Sequence, residues 1–251
     1  YWQGDYEHSR TLAERSLRMA RDLGDEMETA RAVNLLGGIH HIADEDFEAA
    51  RACYAEALDI RRRIDFRWGI AAARNNLALA SFDAGDYGTA QALLEESLKE
   101  IDGVGDRRAR ANSLDSLARV VFELGLYDQA RRHHAECLAL AQELGDKVNT
   151  VDALDGFTRL AVAAGQAEHA LTLSGAAHAI RDRIGYETPK PWRRRLQASI
   201  DAAREALPTD RADAAWTRGS RLSEQEAVLL ALSPTPSAKP AATAGAAGPA
   251  G

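Results

Sequence analysis

Apolar residues recur along most of this chain with the spacing of amphipathic helices. Tyr87 opens one such pattern, and similar patterns follow Tyr6 and Tyr127. Because steps of three and four residues place side chains on one face of a helix, each pattern predicts a helix. The offsets of 3, 7, 11 and 14 residues after Tyr87 give Ala90, Leu94, Leu98 and Ile101. Offset 17 is apolar each time, and a glycine follows it in four of five cases, which is typical of a helix end.

One short sequence, Gly85-Asp86-Tyr87-Gly88-Thr89-Ala90, recurs in variant form at a fixed interval. A second apolar run precedes four of the five copies, at roughly 29–43, 68–84, 108–124 and 148–164. Each unit is therefore predicted to be two antiparallel helices, with residues 1–24 supplying only the second helix of an incomplete first unit. A fixed period of this length is typical of a stacked repeat array. The equivalent positions are Tyr6, Phe47, Tyr87, Tyr127 and Ala167, and the intervals between them are 41, 40, 40 and 40 residues.

These patterns predict an all-α superhelix of antiparallel helix pairs over residues 1–185, closed by a helical cap over 186–232. No proline occurs before Pro189, which suits long uninterrupted helices. Within the cap, Ser223 and Glu226 have the spacing of a capping box, which predicts a last helix. Residues 233–251 contain only Ser, Pro, Thr, Ala, Lys and Gly, so this tail is predicted to be a disordered linker.

The turn between the helices resembles that of tetratricopeptide repeats, which carry a Gly-Asp-Tyr-x-x-Ala sequence at this point. Leu77-Ala78 and Leu117-Ala118 stand where that family places a Leu-Gly pair. The tetratricopeptide period is about 34 residues, so these helices are expected to be longer. HEAT-like repeats share the longer period and are the alternative. The turn sequence and the absence of proline favour the tetratricopeptide interpretation.

Composition excludes several kinds of partner. The net charge of -7 gives no basic bias for binding nucleic acid directly. No stretch has the apolar length needed to span a bilayer, so no membrane partner is expected. Cys53 and Cys137 stand at non-equivalent places in their units, so they imply no disulfide framework and fit a reducing cytoplasmic setting.

No sequence in the chain reads as an active site. The phosphate-binding GxxxxGK[ST], the nucleophilic GxSxG and the zinc-binding HExxH motifs are all absent. Adjacent histidines, as in His133-His134, point about 100° apart on a helix and are poor chelators of one ion. We expect His134 to pack against the neighbouring unit. The chain is therefore expected to be non-catalytic, with no cofactor and no metal.

Two basic runs are interpreted as solvated helix faces. They are Arg61-Arg62-Arg63 and Arg193-Arg194-Arg195, and the first also places cations near a helix C-terminus. The alternative is that either run binds phosphate or an acidic partner.

The first helix of each unit carries the candidate binding residues. In tetratricopeptide arrays these helices line the concave surface, so side chains at equivalent offsets are expected to form a groove. Our hypothesis is that this groove binds a protein, a peptide or a small ligand through polar residues. The alternative is that the Asp and Arg residues form ordinary i, i+4 surface pairs worth little. The predicted groove residues are Asn75, Asp115, Arg119, Asp155 and Arg159.

Two segments, 171–181 and 216–227, resemble the end of the helical-repeat region in large bacterial signal-transduction ATPases. These include actinobacterial transcriptional regulators with a LuxR-type or SARP-type DNA-binding domain. The resemblance implies a sensor or scaffold arm linked to an ATPase, a DNA-binding domain or both. The chain begins without Met and halfway through a unit, which predicts a fragment whose missing N-terminal region holds any catalytic activity. A free-standing adaptor and an accessory domain of a kinase-like or cyclase-like enzyme are the alternatives.

Overall fold

The computed structural model describes residues 6–233 and confirms the all-α prediction. The predicted tail lies outside the described residues beyond Ser233. No strand occurs between Tyr6 and Ser233. The helices are α1 Tyr6–Leu23, α2 Glu26–Ile39 continued by a π turn His40–Asp44, α3 Phe47–Arg63, α4 Arg67–Asp83, α5 Tyr87–Val104, α6 Arg107–Glu123, α7 Tyr127–Leu144, α8 Lys147–Ala163, α9 Ala167–Ile184, α10 Lys190–Glu205, α11 Thr209–Ser220 and α12 Glu224–Leu232.

The helices pair as the repeat predicts. Each second helix (α3, α5, α7) packs between the first helix of its own unit and that of the next, and α1 packs against α2 as the second helix of the incomplete unit. Helices α3 and α5 begin where the side chains of Asp46 and Asp86 accept hydrogen bonds from backbone N–H groups. Helix α7 ends at Gly145 in the left-handed conformation, as predicted.

The alanine three positions after the start of α3, α5, α7 and α9 lies in the core. Ala50, Ala90, Ala130 and Ala170 have no exposed surface. A longer side chain at these positions has no room, because protein interiors are close-packed.

A π turn accounts for the one irregular interval of the repeat. Tyr6 and Phe47 are 41 residues apart, one more than the other intervals, and the π turn lies between them. A π turn closes i to i+5 and so holds one residue more than an α turn. It leaves Glu45 in the left-handed conformation with φ 54°. It also buries His41, whose Nε2 lies 2.8 Å from Asp83 Oδ2 on α4.

The C-terminal helices pack on the last unit of the array. Helix α10 contacts α8 and α9, and α11 contacts α9 along much of its length. The α9–α11 contact is very close, because a Cβ at Gly219 would lie 2.0 Å from the carbonyl oxygen of Thr172. Ser223 and Glu226 form the predicted capping box at the start of α12.

Candidate functional site

We call the surface formed by the first helices α2, α4, α6 and α8 the inner face. Four of the five predicted groove residues are largely buried there. Asp115 is 4% exposed, Asp155 has no exposed surface and Arg159 is 7% exposed, while Asn75 is half-buried. The Arg119 side chain is 11% exposed.

The buried Asp and Arg residues form ion pairs within the chain. Arg119 bridges two carboxylates, at 2.6 Å from Asp115 and 3.1 Å from Asp152. The interpretation of Asp115–Arg119 as an ordinary surface pair is wrong, since both side chains are buried.

Asp155 and Arg159 do not pair with each other. Asp155 Oδ2 accepts a 2.5 Å hydrogen bond from Arg181 on α9, and Arg159 donates at 2.9 Å to Glu123 on α6. The i, i+4 interpretation is therefore wrong here as well, because each side chain has a better partner on another helix.

Helix α10 covers these residues. Trp192 is 4% exposed, and the Arg119 guanidinium carbon lies 4.1 Å from its ring centroid. The guanidinium carbon of Arg159 lies 5.1 Å from the same ring. This arrangement allows cation–π attraction from two arginines to one indole. The lower part of the inner face, toward the C-terminal ends of the first helices, is thus occupied by the chain's own α10.

The second basic run of the sequence fixes α10 in this position. Arg195 pairs with Asp83 at the end of α4, and Arg194 pairs with Glu45 beyond the π turn at 2.6 Å. The interpretation of this run as a solvated face is wrong for Arg195, whose side chain is only 24% exposed.

The first basic run also has a buried member. Arg61 donates to the carbonyl oxygen of Gly69 at 3.0 Å and is 7% exposed. The neighbouring Arg62 and Arg63 remain exposed, so within the first run the solvated-face interpretation holds for these two residues.

The pKa values of the buried carboxyl groups differ in direction. Burial alone would raise the pKa of Asp115, but the charge of Arg119 and the nearby ring of His134 hold it below its usual value. Burial raises the pKa of Asp152 to about 7, despite the charge of Arg119. Burial likewise raises the pKa of Asp155 to about 6 against the opposing charge of Arg181. The inner face therefore contains carboxyl groups that titrate near neutral pH.

The upper part of the inner face, toward the N-terminal halves of α4 and α6, is open. A pocket of about 270 Å³ is lined there by Asn75, Asn76, Asn112 and Arg108, among others. The Asn75 side-chain oxygen is buried and has no hydrogen-bond partner. Of the predicted groove residues, only Asn75 lies in this open part.

A second pocket, of about 340 Å³, adjoins the first and shares Ala71, Asp106 and Ala109 with it. Ile70 and Ile101 add apolar surface to its lining. The two pockets together form a continuous groove with polar and apolar parts.

Sequence reasoning missed two asparagines of this groove. A hydrogen bond of 3.2 Å joins Asn76 to Asn34, and one of 2.7 Å joins Asn149 to Asn112. The signal was present in the sequence, since every first helix carries an asparagine, but their offsets differ from unit to unit.

His134 packs as expected. It is 1% exposed, its ring centroid lies 6.0 Å from that of Phe157, and it fills the space above Gly156 on the next unit. Within residues 6–233, no group of three or more His, Cys, Asp or Glu residues is arranged to hold a metal ion. Both Cys53 and Cys137 are free thiols, and burial raises the pKa of each.

A family model described as tetratricopeptide repeat matches residues 1–63, 69–143 and 110–183. The chain belongs to the tetratricopeptide repeat family. The HEAT-like alternative is therefore set aside. None of the helices between residues 6 and 233 has the length and apolarity needed to cross a bilayer.

Solved structures agree on the fold. The crystal structure of BtubC (BKLC) from P. vanneervenii is similar, with a TM-score of 0.65 and 20% sequence identity. The match covers 94% of this chain and 97% of that one. At this identity the likeness concerns the fold alone. A search of curated proteins gave no significant match.

Proposed function

We propose that this chain is a non-catalytic scaffold that binds a protein or peptide segment in the open groove between α4 and α6. The observation that carries the proposal is the Asn75 carbonyl, which is buried beside an open pocket without a hydrogen-bond partner. A buried polar atom that lacks a partner costs free energy, and a ligand donor can satisfy it.

The chemistry of the groove suits an extended peptide. An asparagine amide offers both a donor and an acceptor, so it matches the N–H and C=O groups of a peptide backbone. The adjoining pocket, with Ile70 and Ile101, has room for an apolar side chain of the same peptide. Main-chain hydrogen bonds then supply affinity and the apolar pocket supplies specificity.

The other predicted groove residues have a different role in this proposal. Asp115, Arg119, Asp155 and Arg159 are held in ion pairs beneath Trp192, so they position α10 and do not touch the ligand. The position of α10 separates these roles. The lower part of the inner face is covered by α10, and the upper part is the open groove.

The wider setting is also proposed. Residues 1–185 form the binding array, 186–232 a cap and 233–251 a linker. The resemblance of 171–181 and 216–227 to signal-transduction ATPases supports a cytoplasmic sensor arm of a bacterial transcriptional regulator, covalently linked to an ATPase, a DNA-binding domain or both. A free-standing adaptor and an accessory domain of a kinase-like or cyclase-like enzyme remain the alternatives.

Peptide selection tests the groove. A random peptide library is displayed against the purified chain, and the dissociation constants of the selected peptides are measured. We expect Asn75→Ala combined with Asn112→Ala to weaken binding at least about tenfold, which corresponds to about 1.4 kcal/mol. Gln225→Ala, an exposed amide on α12, serves as the control and should bind as the wild type does.

Two outcomes would contradict the proposal. One is that no selected peptide loses affinity in the double asparagine variant. The other is ATP hydrolysis by the purified chain above the level of a heat-inactivated sample, because the proposal assigns no catalysis to these residues.

A further inference from the structure

A buried cluster beneath α10 contains more acidic than basic groups. Its three carboxyl groups are Asp115 on α6 and Asp152 and Asp155 on α8. Its two guanidinium groups are Arg119, which lies between Asp115 and Asp152, and Arg181, which pairs with Asp155. Asp115 and Asp155 are buried, and the Asp152 side chain is 12% exposed. With these five groups ionised and His134 neutral, the cluster carries one uncompensated negative charge.

Helices α6, α7 and α9 and the segment after α9 bring charged or titratable groups near Asp152. Helix α7 brings His134, whose Nδ1 lies 3.3 Å from Asp115, and the buried thiol of Cys137. The segment after α9 brings Tyr186, whose hydroxyl lies 3.3 Å from both oxygens of Asp152. The groups within reach of Asp152 are thus Asp115, Arg119, His134, Cys137, Asp155, Arg181 and Tyr186.

An uncompensated buried charge is costly, because the protein interior solvates it poorly. The cluster lowers this cost by keeping one proton. Asp152 is the best place for that proton, since Asp115 and Asp155 each have a closer arginine partner. The direction of its pKa agrees, because burial raises the pKa of Asp152 to about 7.

The cluster is coupled to α10 by direct contact. Trp192 lies on Arg119 and closes the cluster from solvent. The start of α10 is held by Trp192 against Arg119 and Arg159 and by the ion pairs of Arg194 and Arg195, whereas the residues of α10 that join a hydrophobic cluster begin at Leu196. Water that enters to solvate an ionised Asp152 must therefore displace Trp192 and the first turns of α10.

We propose that the cluster holds one proton on Asp152 while α10 covers the inner face, and that loss of this proton releases the first turns of α10. The inference concerns the cap and needs no ligand, so it stands or falls independently of peptide binding. Its consequence is that the lower part of the inner face is closed in mildly acidic conditions and opens in mildly alkaline ones.

Amide hydrogen exchange of residues 193–196, whose N–H groups begin the backbone hydrogen bonds of α10, tests the proposal at pH 6 and pH 8.5, after correction for the intrinsic exchange rates. In the wild type we expect protection to fall at least about tenfold at the higher pH, because the closed state binds the proton more tightly than the open state. In Asp152→Asn, which carries no titrating group there, protection should be equal at both values of pH. Asp128→Asn, an exposed aspartate on α7, should keep the wild-type response.

Two results would overturn the proposal: a wild-type protection that does not change with pH, or a full pH response in Asp152→Asn. Circular dichroism at both values of pH checks that the variant is folded. If Asp152→Asn does not fold, Tyr186→Phe is used to test the proposal instead. Removal of a hydroxyl donor from Asp152 should move the midpoint of the response to higher pH. An unchanged midpoint would place the proton elsewhere.

Discussion

The guanidinium of Arg119 lies 4.1 Å from the ring centroid of Trp192, so a side chain of the C-terminal segment seals the inner face of the repeat array. Arg159 lies against the same ring at 5.1 Å. The indole nitrogen has no hydrogen-bond partner, which leaves the ring itself as the source of the interaction.

We expect Trp192→Ala to lower the free energy of unfolding by about 3–5 kcal/mol, as for other large core truncations. Trp192→Phe should cost clearly less, because it keeps an aromatic ring beside Arg119 and loses only an unpaired N–H. Urea denaturation of the two variants measures the difference. Equal costs would show that the ring contact with the arginines contributes little.

The close approach of α9 and α11 predicts that position 219 tolerates only glycine. Gly219→Ala should destabilise the protein, because its Cβ would lie 2.0 Å from the backbone oxygen of Thr172, which cannot rotate away. Gly103→Ala on α5 is the matched control. It meets nothing within 4 Å and should stabilise the protein by about 0.5–1 kcal/mol. Thermal unfolding of both variants gives the comparison, and a stable Gly219→Ala would contradict the α9–α11 geometry.

Overpacking tests the register of the repeat. Ala130 has no exposed surface, so Ala130→Leu should cost about 1–3 kcal/mol. Ala139, on the same helix, is exposed, and Ala139→Leu should change the unfolding free energy by less than about 0.5 kcal/mol. An unchanged melting temperature for Ala130→Leu would count against the assignment of these alanines to the helix contacts.

Asp83 should contribute stability that acid removes. Burial alone would raise the pKa of Asp83, but the hydrogen bond from His41 and the charge of Arg195 outweigh burial and lower the pKa. A carboxyl whose pKa is lower in the folded state stabilises the protein above its unfolded pKa of about 3.9, and this stability is lost as pH falls further. Asp83→Asn should therefore be less stable than the wild type at pH 6, with a smaller difference at pH 3. Denaturation at the two values of pH measures this difference in unfolding free energy. A difference that is the same at pH 3 and pH 6 would contradict the prediction.

Asp152 should behave in the opposite way. Its pKa is raised to about 7 in the folded protein, so it favours folding most below the unfolded pKa of about 3.9 and loses this contribution as pH rises through 7. Asp152→Asn should thus raise the melting temperature at pH 8 relative to its effect at pH 5. A larger benefit at pH 5 would exclude a buried protonated Asp152.

The repeat was predictable from the sequence because its signals are local. The aromatic of Tyr87, the preceding Asp86 and the buried Ala90 lie within one helical turn, and the structure places each as predicted. The interval of 41 residues was visible too, although its physical expression as a π turn at His40 was not predicted.

The burial of the groove residues was not predictable, because it depends on contacts between distant segments. No sequence pattern near Arg119 predicts that Trp192 covers it. Asp155 takes Arg181 on α9 as its partner in place of Arg159, four residues away, and Arg159 pairs with Glu123 on α6. The open asparagine groove was found in part, through Asn75. Asn112 was missed because it stands at a different offset in its unit.

The ion pair between Arg194 and Glu45 joins residues 149 positions apart. In an ordinary repeat array each unit contacts only its neighbours, so the array can fray or stretch one unit at a time. Here the segment after the last unit reaches back to the second, and Arg195 contacts the third. The array is thereby tied across its own length. We therefore expect the units that α10 links to unfold together and not one at a time.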